Sequence, residues 1–204
     1  MDADGLAGFD EVGTVGGDGF EQEGQQGGAV GIGTVLYALA IGPLVPESVK
    51  TLQDFVAWAK ANPGKSNFGS PASGSTPHLV GSVLGKLAGI DFTHIAYRGA
   101  APAMADVVGG QLPFMFVDTS SGGAFLTSGK VRPIGVASLQ RLKSMPEIPT
   151  LAEQGLKDFE AYAWQALVVP TAASAASVQK LNKHLNDALN STEVKARMQV
   201  LGIE

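Results

Sequence analysis

Three short stretches combine flexible backbone with hydroxyls or a charge, and each stands where an apolar run gives way to a helical pattern. Residues 70–76 read Ser-Pro-Ala-Ser-Gly-Ser-Thr, residues 97–101 read Tyr-Arg-Gly-Ala-Ala, and residues 118–121 read Asp-Thr-Ser-Ser. The first two lead into Pro77 and Pro102, and proline suits a first helical turn because its missing N–H has no partner there anyway. Amides at a helix start carry about half a unit of positive charge. Together with the hydroxyls of Ser70, Ser73, Ser75 and Thr76 and the pliable backbone at Gly69, Gly74 and Gly99, they describe a cradle for a carboxylate or phosphate. For one loop alone, capping and turning account for the same residues; two such loops in tandem bring the anion reading level with that one.

Single residues in these loops admit two roles. His78 falls in the first turn after Pro77, where the dipole favours a neutral ring. It is placed either to donate a hydrogen bond to an anion or to pack on the sheet beneath. Arg98 is the basic residue of the cradle loops, a bidentate clamp for a second carboxylate or a solvated neighbour of Tyr97. Ala100 follows Gly99 at the start of the second helix. Asp118 either accepts from a ligand amine or hydroxyl or caps the turn after it. His94 lies inside a strand and reads as structural, and His184, on a lysine-bearing helix, as solvated.

Several chemistries find no support. The chain has no Cys, which excludes thiolate nucleophiles; with three His no multi-histidine metal centre is expected, nor any cofactor. Neither G-x-S-x-G nor H-E-x-x-H occurs. A small Ser/His α/β hydrolase using Ser70 or Ser75 with His78 is the competing enzymatic reading. The segment Ala-Lys-Ala-Asn-Pro-Gly-Lys-Ser at residues 59–66 has phosphate-loop lettering, but a helix precedes it and Pro63 removes a donor. A formal net charge of -5 speaks against a nucleic-acid partner.

These loops need a frame, and the pattern supplies one. Hydrophobic residues make up 45% of the 204, enough for a core. Residues 1–33 hold eleven glycines, seven acids and no basic residue, and are expected to be flexible. No basic n-region marks a signal peptide there. The polar-poor run of residues 29–45 reads as a buried strand over residues 34–41 ended by Gly42-Pro43, a membrane helix being the lesser alternative. Ser48 is expected to cap a helix buried through Val49, Leu52, Phe55, Val56 and Ala59. Thr76 is expected to cap one buried through Leu79, Val83, Leu84 and Leu87 and closed by Gly89. Strand–loop–helix units then repeat, the signature of an α/β sheet whose loops at the strands' carboxyl ends collect ligands. Residues 34–169 are expected to form the ligand-binding lobe and residues 170–204 a helical segment.

The run NFGSPASGSTPHLVGSVLGKLAGIDFTHIAYRGAAPAMADVVGGQLPFMFVD, residues 67–118, resembles the solute receptors of tripartite tricarboxylate transporters, the Bug family. The resemblance extends upstream over residues 49–65 and downstream through Gly129-Lys130-Val131-Arg132, the Met145-to-Gly155 segment and Ala163-Trp164. It implies a periplasmic-binding-protein-like clamshell of type II, not an enzyme, that captures a small carboxylated solute and delivers it to membrane permease subunits. By position, its ligand loops are residues 70–78, residues 97–100 and the neighbourhood of Asp118. The implied location is the periplasm. Against that pattern, residues 1–33 do not match, and much of the first lobe is expected to be missing, as from a truncated or frameshifted gene. A lone lobe exposes an apolar face, so self-association is expected, and a non-binding lobe acting as an interaction protein is the alternative.

Overall fold

The computed structural model of the chain describes residues 29–170, 172–200 and 203. Its compact units are Thr34–Ala163 with Lys195–Glu204, and Met1–Gly33 with Trp164–Val194. All the candidate residues belong to the unit built on Thr34–Ala163. The expectation of flexibility for residues 1–33 falls mostly on residues 1–28, outside the described ones.

The apolar run folds as strand β1 (Ala29–Ile41), longer at its start than the sequence suggested. Tyr37, Leu39 and Ile41 enter one core cluster and Leu36, Ala38 and Ala40 the other. A strand covered on both faces reads as an unbroken apolar stretch, which explains its membrane-like lettering. No helix among the described residues is long and apolar enough to cross a membrane.

Strands β2 (Asn67–Ser70), β3 (Thr93–Ala96), β4 (Phe114–Asp118) and β5 (Arg132–Val136) complete the order β3-β2-β4-β1-β5. β2 runs parallel to β3 and β4, whereas β1 is antiparallel to β4 and β5. Because β2, β3 and β4 share a direction, their exit loops open at one edge of the sheet. Arg132 ties the turn after β1 in place: its guanidinium donates to the carbonyls of Val49 at 2.7 Å, Val45 at 2.5 Å and Pro46 at 3.0 Å.

Helix α1 (Leu52–Ala61) starts later than expected. Thr51, not Ser48, is its cap, in a reciprocal box in which Thr51 accepts from the Asp54 amide and the Asp54 carboxylate from the Thr51 amide. The phosphate-loop lettering after it closes the helix instead: Ser66 is buried and its hydroxyl contacts the carbonyls of Ala59 and Asn62, both at 2.9 Å.

Helix α2 (Thr76–Ala88) corrects the sequence reading most sharply. It buries Val80, Gly81, Leu84 and Gly85, while Leu79, Val83 and Leu87 are exposed. The helix sits on the sheet through its glycines. A Cβ at Gly81 would lie 2.3 Å from the Phe68 ring, and one at Gly85 would lie 2.8 Å from the Phe92 ring. Leu84 is buried as expected, but a hydropathy pattern scores glycine as neutral, so Leu79, Val83 and Leu87 were misplaced. Gly89 closes the helix at φ 64° as expected.

Helix α3 (Ala100–Val108) begins two residues before Pro102, and α4 (Thr119–Thr127) begins at the end of β4 itself. Further on, β6 spans Tyr162–Val168 and α6 Thr192–Val200. In the other unit, α5 (Ala175–Leu189) is capped by Ser174 and buries none of its residues. His184 lies exposed on it, as the sequence suggested.

Candidate functional site

Two of the three helices that start at this edge lack a side-chain cap, and that difference marks the candidate site. Ser75 is the N-cap residue of α2 but makes no capping bond. Its hydroxyl turns back to donate to the Ala72 carbonyl at 2.7 Å. Thr76, expected as the cap, is the first helical residue, and its side chain is hydrogen bonded to the Tyr37 phenol. Gly99, at φ 112°, precedes α3 and likewise offers no side-chain cap. Pro77 and Pro102 have no N–H, so the amides at these two helix starts are those of Thr76 and His78 and of Ala100 and Ala101. The loops are joined directly: the Tyr97 amide donates to the Ser70 carbonyl at 2.9 Å and the Gly99 amide to the Pro71 carbonyl at 3.1 Å.

The third helix is already occupied by the protein's own anion. Asp118 caps α4, accepting from the Ser121 amide at 2.7 Å and from the hydroxyls of Ser120 at 2.6 Å and Ser121 at 2.5 Å. Burial pushes its carboxyl up, but these hydrogen bonds outweigh burial and hold it below its ordinary value. Of the two roles open to Asp118, capping is the one the geometry displays. A depressed folded-state pKa stabilises the protein above the unfolded value and loses that contribution as pH falls through the folded one. Asp118→Ala is therefore expected to cost about 1–2 kcal/mol at neutral pH. Urea denaturation should find the gap from the parent narrowing below about pH 4.

Behind the first loop lies a buried polar relay. Ser70 is fully buried, and its hydroxyl lies 2.8 Å from the Ala72 carbonyl and 2.7 Å from His94 Nε2. A carbonyl only accepts, so the Ser70 proton points to Ala72, and His94 must donate its Nε2–H to Ser70. This is the reverse of the proton path a serine nucleophile needs, because the histidine gives a proton where a general base would take one. The ring of His94 stacks on that of His78, with centroids 3.8 Å apart and planes at 27°. Gly74, in a left-handed turn at φ 79°, donates its amide to His78 Nδ1 at 2.9 Å. Burial first, and then the neighbouring His78, hold the His94 pKa below its ordinary value.

Not all the candidate residues converge. Tyr97 turns to the opposite face of the sheet, where it packs beside Gly69 and its phenol donates to Asp106 Oδ2 at 2.7 Å. Burial, followed by that carboxylate, pushes the phenol up to about 12. Arg98 is exposed and pairs with no carboxylate among the described residues. Ser73 and Gly74 lie exposed at the loop tip, and Gly99 and Ala100 are half-buried.

Two residues at the site escaped the sequence reading, Tyr37 and His94. Tyr37 lies opposite Asp118 in the β1–β4 register; burial first, then the Asp118 charge, raise its pKa. His94 is level with Phe68 across parallel strands. A histidine inside a short apolar strand was the one available signal. An apolar groove of about 340 Å³ runs from Thr76 along Leu79, Val83 and Leu87 opposite residues 157–161. Only Thr76 of the candidates reaches it, and Asp158 and Glu160 beside its apolar walls outnumber the single Lys157, which does not suit an anion.

The sequence profile described as Tripartite tricarboxylate transporter family receptor matches residues 30–204. A protein from the clcB-clcD intergenic region of Pseudomonas knackmussii is 38% identical over 63% of this chain and 77% of its own length. Among solved structures, the periplasmic binding protein BugD superposes with a TM-score of 0.76 at 30% identity, over 87% of this chain and 58% of BugD. MatC of Rhodopseudomonas palustris, solved with bound malate, gives 0.74 at 26% identity, over 84% of this chain and 57% of MatC. The chain spans about half the length of most curated relatives it matches. With its mixed α/β sheet and this match across nearly every described residue, the chain belongs to the receptor family of tripartite tricarboxylate transporters.

Proposed function

We propose that this chain is an extracytoplasmic receptor lobe that holds one carboxylate of a small organic acid on the amides opening α2 and α3. The observation that carries the reading is the contrast between three neighbouring helix starts: α4 is capped by the Asp118 carboxylate, while α2 and α3 are left without a side-chain cap. A carboxylate from solution would satisfy those amides as Asp118 satisfies the amide of Ser121. The malate bound by MatC belongs to the same chemical class. Family membership supports delivery to membrane permease subunits and a location outside the cytoplasm.

Calorimetric titration with malate, succinate, citrate and the uncharged diamide of malate tests this. Heat is expected from at least one acid and none from the diamide. Silence from every acid, or equal binding of the diamide, would overturn it. The hydrolase reading is disfavoured by the Ser70 proton pointing to the Ala72 carbonyl, and a covalent serine probe is expected to leave Ser70 and Ser75 unlabelled. The interaction-lobe reading draws on the exposed stripe of Leu79, Val83 and Leu87. A dimer in sedimentation whose dissociation follows charge substitution at Val83 would favour it.

A further inference from the structure

We propose that the stacked imidazoles of His78 and His94 are a proton-receiving element of this site: an anion seated on the first amides of α2 draws a proton onto His94. The inference rests on the anion reading above and adds to it a coupling between solute capture and proton uptake.

The hydrogen bonds decide which ring can accept. The Gly74 amide donates to His78 Nδ1, so that nitrogen carries no proton and neutral His78 is the Nε2–H tautomer. Protonating His78 would set N–H against N–H and break the loop's closing bond. His94 is different. Its Nε2–H is committed to Ser70, and its Nδ1 has no hydrogen-bond partner among the described residues. A proton can therefore be added to Nδ1 while every bond of the Ser70–Ala72–Ser75 relay persists. Charges on rings 3.8 Å apart repel each other, and the Gly74 amide already holds His78 Nδ1, so the added proton goes to His94.

The surroundings leave His94 short of a counter-charge. From α2, His78 acts on His94. β2 presents Phe68 and Ser70, neither of which titrates near neutrality. From β1, Tyr37 reaches Thr76; Asp118, on β4 between β2 and β1, is held by Ser120 and Ser121, and the charges that shift His94 do not include it. Burial and His78 both oppose charge on His94. A carboxylate arriving at the Thr76 and His78 amides would be the first unsatisfied negative charge beside it. It raises the proton affinity of the pair, and by linkage a proton on the pair raises the affinity for the carboxylate.

The test is malate titration by calorimetry in two buffers of unlike ionisation enthalpy, from about pH 8 to about pH 6. Net uptake of up to about one proton per malate is expected, with affinity rising by up to about tenfold per pH unit as pH falls. His94→Gln retains an amide donor for Ser70 and is expected to bind malate with an affinity flat across that range. Buffer-independent heats in the parent protein, or proton uptake persisting in His94→Gln, would overturn the coupling while leaving the anion reading intact. Heat from no acid at any pH would remove both. NMR titration of the His94 ring in the parent protein needs no variant: malate is expected to move its midpoint upward, and an unmoved midpoint contradicts the proposal.

Discussion

Ser75→Asp should separate stability from solute binding. Ser75 holds the N-cap position of α2 with extended backbone, φ -68° and ψ 158°, yet bonds to Ala72 and leaves the helix uncapped. An aspartate there has the backbone to do for α2 what Asp118 does for α4 at the Ser121 amide. The fold is expected to gain about 0.5–1 kcal/mol from the new cap. Binding is expected to collapse, because the introduced carboxylate occupies the amides and repels the incoming one. Two unit charges about 4 Å apart near a protein surface interact by about 4 kcal/mol before salt screening. A loss of roughly a hundredfold in affinity for any acidic solute should follow. Urea denaturation and calorimetry on the same preparation check the two arms; unchanged affinity in a variant at least as stable as the parent would show that the anion binds elsewhere.

The second large effect is expected at Gly81. On propensity alone, alanine in place of a mid-helix glycine stabilises by about 1 kcal/mol. At Gly81 the sign should reverse, because the added carbon meets Phe68 Cε2 at 2.3 Å. Phe68 cannot yield: it is 1% exposed and wedged among His78, Phe92, His94 and Phe114. A net loss of about 1–3 kcal/mol is expected for Gly81→Ala, and more for Gly81→Val, measured by chemical denaturation. Lifting α2 also parts the His78–His94 stack, so binding should fall with stability. A stabilised Gly81→Ala would contradict the close seating of α2 on the sheet.

The same glycine explains what the letters conveyed and what they withheld. β1 was legible because a strand buried on both faces leaves a continuous apolar run, and the loops were legible because turn and cap residues are chemically distinctive. The buried face of α2 was not. Its buried face is Val80, Gly81, Leu84 and Gly85, half of it glycine with no hydropathy signal, while Leu79, Val83 and Leu87 look like a core stripe and are exposed. Thr76 and Ser75 exchanged roles for a related reason. Either can cap, and the choice was made by Tyr37, a residue far earlier in the chain that holds the Thr76 side chain. His94 looked structural because its meaning depends on register: only pairing beside Phe68 brings it under His78 and against Ser70. Tyr97 stood in the right loop, but strand alternation sends its ring to the α3 face, to Asp106.

The central claim is that a carboxylate rests on the uncapped starts of α2 and α3, and amide NMR tests it residue by residue. On saturation with whichever acid gives heat, the largest shifts are expected at the amides of Thr76, His78, Ala100 and Ala101, while the amide of Ser121, already held by Asp118, stays still. Shifts centred on the apolar groove beside Val83, or on residues 157–161, with those four amides unmoved, would contradict it.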